Sequence, residues 1–126
     1  MRVAVVDPDK KALHNEIKSV RKVFDGCEAV MFVEPEIAER YLEENAVDIL
    51  FTQVPMIRMS GIQLGRKLRQ VQPGARLVYM AEDDAYCRQA LEEKTDGYLV
   101  KPVSTEKIRE LLPFAGDWLV KNVRRC

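Results

Sequence analysis

The stretch Val3-Ala4-Val5-Val6-Asp7-Pro8-Asp9, at the head of the chain, decides the fold class. Four consecutive apolar residues, three of them β-branched, suit a central strand covered on both faces. The acidic turn ends that run. Asp9 is placed to cap a helix over residues 10–24. The apolar positions of that helix are Ala12, Leu13, Ile17, Val20, Val23 and Phe24, at three- and four-residue spacing. Asp25-Gly26 closes it. A buried strand that runs straight into an amphipathic helix opens a parallel α/β unit.

The same alternation continues along the chain. Residues 29–33 read as a second strand. Glu34-Pro35-Glu36 opens a helix through Glu44, with Pro35 at an early position where its missing N–H costs little. Ile37, Ala38, Tyr41 and Leu42 form its expected inward stripe. Residues 48–52 are a third strand, followed by a loop over 53–59. Ser60 is placed to cap a third helix carrying Ile62, Leu64, Leu68 and Val71, and Pro73-Gly74 ends it. Residues 77–80 are a fourth strand. Residues 82–94 read as a helix with Ala85, Tyr86, Ala90 and Leu91 inward. Residues 97–100 are a fifth strand, ended by Lys101-Pro102. Ser104 caps a last helix with Ile108, Leu111 and Leu112 inward, and Pro113 interrupts it. Residues 114–120 read as a further turn or two.

Five strands alternating with five helices imply a doubly wound parallel sheet. The chain is too short for a six-stranded dinucleotide fold, so the expected strand order is 2-1-3-4-5. The ligand crevice of such a sheet lies at the carboxyl ends of strands one and three. The expected division is a domain over residues 1–112 and an extension or linker over 113–126.

Bulk properties narrow the function classes. A chain of 126 residues makes one ordinary domain. Lys plus Arg is 20 and Asp plus Glu is 20, so no net charge pulls the chain toward nucleic acid or an anionic membrane. The terminal Lys121, Arg124 and Arg125 read as a solvated tail. Residues 1–126 carry no recognition-helix pattern, so direct nucleic-acid binding is not expected. The apolar opening run is too short for a signal peptide or a membrane span. Cys27, Cys87 and Cys126 are widely spaced and form no CxxC pair, which argues against a zinc site. A reducing, cytoplasmic setting is the simpler expectation. His14 has no companion ligands near it in sequence.

Three segments resemble the receiver domains of response regulators, the CheY-like family. They are Val3 to Asp7, Asp48 to Leu64 (DILFTQVPMIRMSGIQL) and Thr95 to Pro102 (TDGYLVKP). They stand in the family's order, and the resemblance covers about residues 2 to 112. The resemblance implies a flavodoxin-like (βα)5 fold, a role in signal transduction or transcription regulation, and no enzymatic activity. It also implies a phosphorylation pocket, and there this chain departs from the pattern. The acidic pair after strand one is Asp7 and Pro8, with Asp9 next. The phosphoacceptor position, eight residues before Gly61, is Gln53. The switch hydroxyl position is Ala81. Ile57 stands where a loop proline is common. Asp7 and Lys101 remain.

An amide is a poor nucleophile and a weaker magnesium ligand than a carboxylate. Asp48 lies at the far end of its strand and cannot substitute. The degenerate pocket is therefore expected at Asp7, Pro8, Asp9, Gln53, Ala81 and Lys101. No cofactor is expected beyond weak Mg2+ binding at Asp7, with Asp9 within possible reach. Lys101 and Asp7 are expected to pair, directly or through Gln53. Three outcomes stay open: Gln53 as a tolerated polar replacement without signalling meaning, a fixed or partner-regulated state, or a noncanonical switch driven by ligand, partner or redox change. The resemblance marks Tyr98 as a switch or interface residue that either packs inward beside Ala81 or faces a partner. It also implies a cis Lys101-Pro102 bond. The expected contact surface, for a protein partner or a second copy, is formed by the fourth helix, fifth strand and fifth helix. Asn122 to Cys126 resembles the opening strand of a winged-helix effector, so a DNA-binding domain is expected outside these residues.

Overall fold

The computed structural model describes residues 1–114 and 121–122. Its elements in chain order are β1 (Arg2–Val6), α1 (Lys10–Val23), β2 (Glu28–Phe32), α2 (Pro35–Glu44) and β3 (Ile49–Gln53). They continue with α3 (Gly61–Val71), β4 (Arg76–Ala81), α4 (Cys87–Glu92), β5 (Gly97–Val100) and α5 (Thr105–Arg109). The five strands form one parallel sheet in the order β2-β1-β3-β4-β5. This is the flavodoxin-like (βα)5 fold.

The unbroken apolar strands are explained by two cores, one on each face of the sheet. Val3, Val5, Ile49, Phe51, Val78, Met80 and Leu99 pack with Leu13, Ile17, Val20 and Ile108, from α1 and α5. Ala4, Val6, Leu50, Leu77, Tyr79, Ala81 and Tyr98 pack with residues of α2, α3 and α4. Successive strand residues point to opposite faces. One face of each strand therefore feeds each core.

Local chemistry sets the helix starts. Asp9 caps α1, its Oδ1 accepting from the Lys11 and Ala12 amides at 3.0 and 3.2 Å. Ser60 and Gln63 form a reciprocal capping box at the start of α3. Gly61 follows directly, and a Cβ there would run into the Gln53 carbonyl. The close approach of α3 to the end of β3 thus depends on a residue without a side chain.

Several expectations need correction. Helix α4 starts at Cys87 rather than 82. Asp83 Oδ1 accepts from the Ala85 amide at 2.9 Å, and its carbonyl accepts from the Tyr98 hydroxyl, which holds this segment as a turn. Ala85 is consequently exposed. Ile37 and Val71 are exposed as well, at the margins of their helices' inward stripes. Helix α5 is shorter than expected, and Leu111 and Leu112 beyond it are only half-buried. Cys27 is a free thiol, whereas Cys87 is disulfide-bonded. The Lys101–Pro102 bond is cis, as the resemblance implies, and Leu112–Pro113 is cis as well. The expected turn over 114–120 lies outside the described residues apart from Phe114. The expected strand over 122–126 lies outside them apart from Asn122.

Gly61→Ala is expected to lower stability by about 1–3 kcal/mol through overpacking against backbone that cannot rotate away. Urea denaturation measures it; Gly74→Ala, where a Cβ meets open space, is the control.

Candidate functional site

The alternation of strand faces brings three of the expected pocket residues together. Asp7 continues the Val3–Val5 face just past the end of β1, and Gln53 continues the Ile49–Phe51 face at the end of β3. Lys101 continues the Leu99 face just past β5. All three therefore meet on the α1–α5 side of the sheet, at its carboxyl edge. Lys101 Nζ donates to Asp7 Oδ2 at 2.7 Å and to Gln53 Oε1 at 3.1 Å. Asp7 is 1% exposed, and its Oδ1 accepts from the Asp9 amide at 2.9 Å. The carboxylate is thus engaged on both oxygens.

Ala81 and Tyr98 belong to the other face. Both lie in the apolar cluster on the α2–α4 side. Tyr98 is directed inward and is 9% exposed, with its hydroxyl donating to the Asp83 carbonyl at 2.6 Å. Pro8 is exposed. Asp9 is exposed too, and its carboxylate is spent capping α1 rather than reaching into the pocket. Of the six expected pocket residues, the sheet collects Asp7, Gln53 and Lys101.

Sequence reasoning missed a fourth member. Glu16 of α1 is 1% exposed, and neither of its carboxyl oxygens has a hydrogen-bond partner. Its Oε2 lies 3.9 Å from Lys101 Nζ. Burial, reinforced by the neighbouring Asp7 carboxylate, pushes its pKa from 4.5 up to about 9, against the pull of Lys101. At neutral pH Glu16 is therefore an uncharged acid. The signal was available: Glu16 sits three residues after Leu13 and four before Val20, on the inward stripe of the helix. An acid at such a position marks a site rather than a solvated face.

Burial works against the charge on Lys101, but the hydrogen bond and field of Asp7 lead the effects that raise its pKa above the ordinary value. Glu82 adds a carboxylate at 3.5 Å from the solvent side. The ammonium and the Asp7 carboxylate form a neutral buried pair.

This donor set does not fit magnesium. The ion takes hard oxygen ligands, usually with one or two carboxylates. Here Asp7 is held by Lys101 and by backbone, Gln53 Oε1 accepts from Lys101, Asp9 caps a helix and Glu16 is neutral. Among the described residues no group of three or more His, Cys, Asp or Glu is arranged to hold a metal. Mg2+ at Asp7 would have to displace Lys101 or the Asp9 amide from that carboxylate.

Two outcomes test this electrostatic arrangement. Lys101→Met leaves Asp7 as an unpaired buried carboxylate and is expected to cost about 3–5 kcal/mol in urea denaturation. For Glu16, the folded chain holds a proton that the unfolded chain releases between pH 4.5 and about 9. Stability is then full below pH 4.5 and falls as pH rises through that window, by up to about 1.4 kcal/mol per pH unit. Glu16→Gln is expected to remove that slope; parallel pH profiles for the two proteins would contradict the assignment.

Comparison with known proteins agrees with this geometry. Residues 3–113 match the family described as response regulator receiver domain. An uncharacterized response regulatory protein of Vibrio cholerae is 27% identical over 122 residues, covering 95% of this chain and 47% of that protein. The transcriptional regulatory protein LytR of Staphylococcus aureus is 26% identical over 113 residues, covering 87% of this chain and 45% of LytR. The chain thus spans about half the length of these relatives. Among solved structures, a CheY-like receiver domain of Methanospirillum hungatei superposes with a TM-score of 0.78 at 20% identity, covering 96% of this chain and 97% of that one. RcsB of Salmonella enterica, bound to promoter DNA with a phosphomimetic, superposes with a TM-score of 0.74 at 18% identity, covering 89% of this chain and 66% of RcsB. Receiver domains are non-catalytic signalling modules, and with its strand order, its Asp7–Lys101 pair and a family match across residues 3–113, this chain belongs to the response regulator receiver domain family.

Proposed function

We propose that this receiver domain signals through protein contacts without being phosphorylated. The observation that carries the reading is the Lys101 ammonium, held by Asp7 at 2.7 Å and by the Gln53 amide at 3.1 Å. An acyl phosphate needs a carboxylate nucleophile, and Gln53 stands where the resemblance puts it. A phosphoryl group also needs neutralising cations. Here the lysine is already neutralised by Asp7, and Ala81 offers no hydroxyl to a phosphoryl oxygen. The internal Asp7–Lys101–Gln53 network takes the place of an external anion and metal, and it favours one arrangement of the crevice.

The surface formed by α4, β5 and α5 is the proposed contact site for a protein partner or a second copy. Two of the relatives support an output beyond these residues. LytR is named a transcriptional regulatory protein, and RcsB was solved on promoter DNA. A DNA-binding effector attached to this domain, in the cytoplasm, fits that pattern. No helix among the described residues is long and apolar enough to cross a membrane.

Incubation with acetyl phosphate and Mg2+, followed by intact-mass measurement, tests the proposal. The expected result is no phosphoryl adduct on the wild-type chain. An adduct that hydroxylamine removes would overturn it and favour a phosphorylation-responsive domain using a noncanonical switch.

A further inference from the structure

Helix α1 carries five of the chain's 20 basic residues and one of its 20 acidic residues. That acid is Glu16, which is buried beside Lys101. The five bases, Lys10, Lys11, Lys18, Arg21 and Lys22, are all exposed. The solvent face of the helix is therefore cationic along its length. Exposed acids stand only beyond its ends, Asp9 at the N-cap and Asp25 past the last turn. The rest of the chain is correspondingly acidic, so a net charge of zero conceals a segregated one.

These cations are also unspent. Elsewhere surface cations meet carboxylates: Arg2 pairs with Glu28, Arg66 with Glu93, Lys67 with Glu43, and both Arg69 and Arg76 with Asp96. Among the described residues, none of the five on α1 forms an ion pair. Helical spacing gathers them into two rows. Lys11, Lys18 and Lys22 stack along one side. Lys10 and Arg21, three turns apart, form a second row about a quarter-turn away, with the exposed His14 between the rows. The row from Lys11 to Lys22 is about 16 Å long.

The composition of this face selects its partner. No apolar side chain of α1 is exposed; Ala12 and Val23 are half-buried. Protein hot spots rest on aromatic and arginine anchors, and lysine is depleted from interface cores. A helix that settles into a membrane surface needs an apolar face. Duplex nucleic acid needs neither. It carries one phosphate per ~1.7 Å of axis, so about ten lie along a 16 Å row, and unpaired Lys and Arg suffice to bind them.

We propose that the exposed face of α1 binds the phosphate backbone of double-stranded DNA without reading its sequence. Contacts of Lys and Arg to phosphate position a protein on the duplex and carry no sequence information. Net charge and the lack of a recognition helix pointed away from nucleic acid; the gathering of charge onto one helix points to its backbone. The face adds sequence-independent contacts to those of the DNA-binding effector proposed above. It does not depend on whether the pocket can be phosphorylated, and its test uses the unphosphorylated chain.

The 126-residue chain is titrated into a fluorescein-labelled duplex of roughly 20 base pairs, and anisotropy is read across KCl concentrations. Saturable binding is expected at about 50 mM KCl, with log Kobs falling against log [KCl] at a slope of about −2.7 to −4.5, the range for three to five neutralised phosphates. Lys11→Gln/Lys18→Gln/Lys22→Gln is expected to weaken binding at least tenfold and to make the slope shallower by about 2.7. Arg40→Gln/Arg58→Gln/Lys94→Gln removes the same charge from exposed positions on other elements and is expected to weaken binding less than threefold. All six side chains are exposed, so both variants are expected to keep the far-ultraviolet circular dichroism of the wild type. No saturable binding by the wild-type chain, weakening of the two variants within threefold of one another, or tighter binding to phosphatidylserine vesicles or polyglutamate than to the duplex at the same salt would each overturn the proposal.

Discussion

Everything at the carboxyl edge of this sheet depends on the ion pair between Lys101 and Asp7. The two side chains are 6% and 1% exposed, so each has lost most of its hydration. Burying either charge alone costs several kcal/mol. Their 2.7 Å contact offsets that cost, and the surrounding polar atoms complete it. The Asp9 amide takes the second Asp7 oxygen and the Gln53 amide oxygen takes a second proton of the ammonium. The pair joins the ends of β1 and β5, which are not neighbours in the sheet, across the end of β3.

Glu16 shows what this pair does to its surroundings. A second ionised carboxylate beside Asp7 would leave the cluster with an uncompensated buried charge. Keeping Glu16 protonated avoids that. The result is a crevice with zero net internal charge. Within it the Asp7 carboxylate and the Lys101 ammonium are engaged with each other.

The opposite face of the sheet follows a different logic. Tyr98 and Ala81 lie in the apolar cluster on the α2–α4 side, and the Tyr98 hydroxyl is held by a backbone carbonyl of the turn before α4. That turn shortens α4 and brings Cys87 to its first position. The pocket residues and the Tyr98–Cys87 region are therefore separated by the thickness of the sheet.

Much of this was legible in the residues themselves. The run Val3 to Val6 demanded two covered faces, and the family resemblance named Asp7, Gln53 and Lys101, which the ordered strands bring to a common side. Asp9 and Ser60 announced their helices because a cap is local chemistry between residues two or three apart. Glu16 was legible too, as an acid on an apolar stripe, and was passed over. The sequence could not show that Asp9 turns to its helix rather than the crevice, since both lie within reach of one short side chain. Nor could it show that α4 begins five residues late, because that depends on a hydroxyl from β5. Tertiary structure alone decided that Lys101 meets Asp7 directly and not only through Gln53, the neutral state of Glu16 and the engagement of Cys87. Each depends on burial and on partners that only the assembled sheet brings together, which local spacing does not encode.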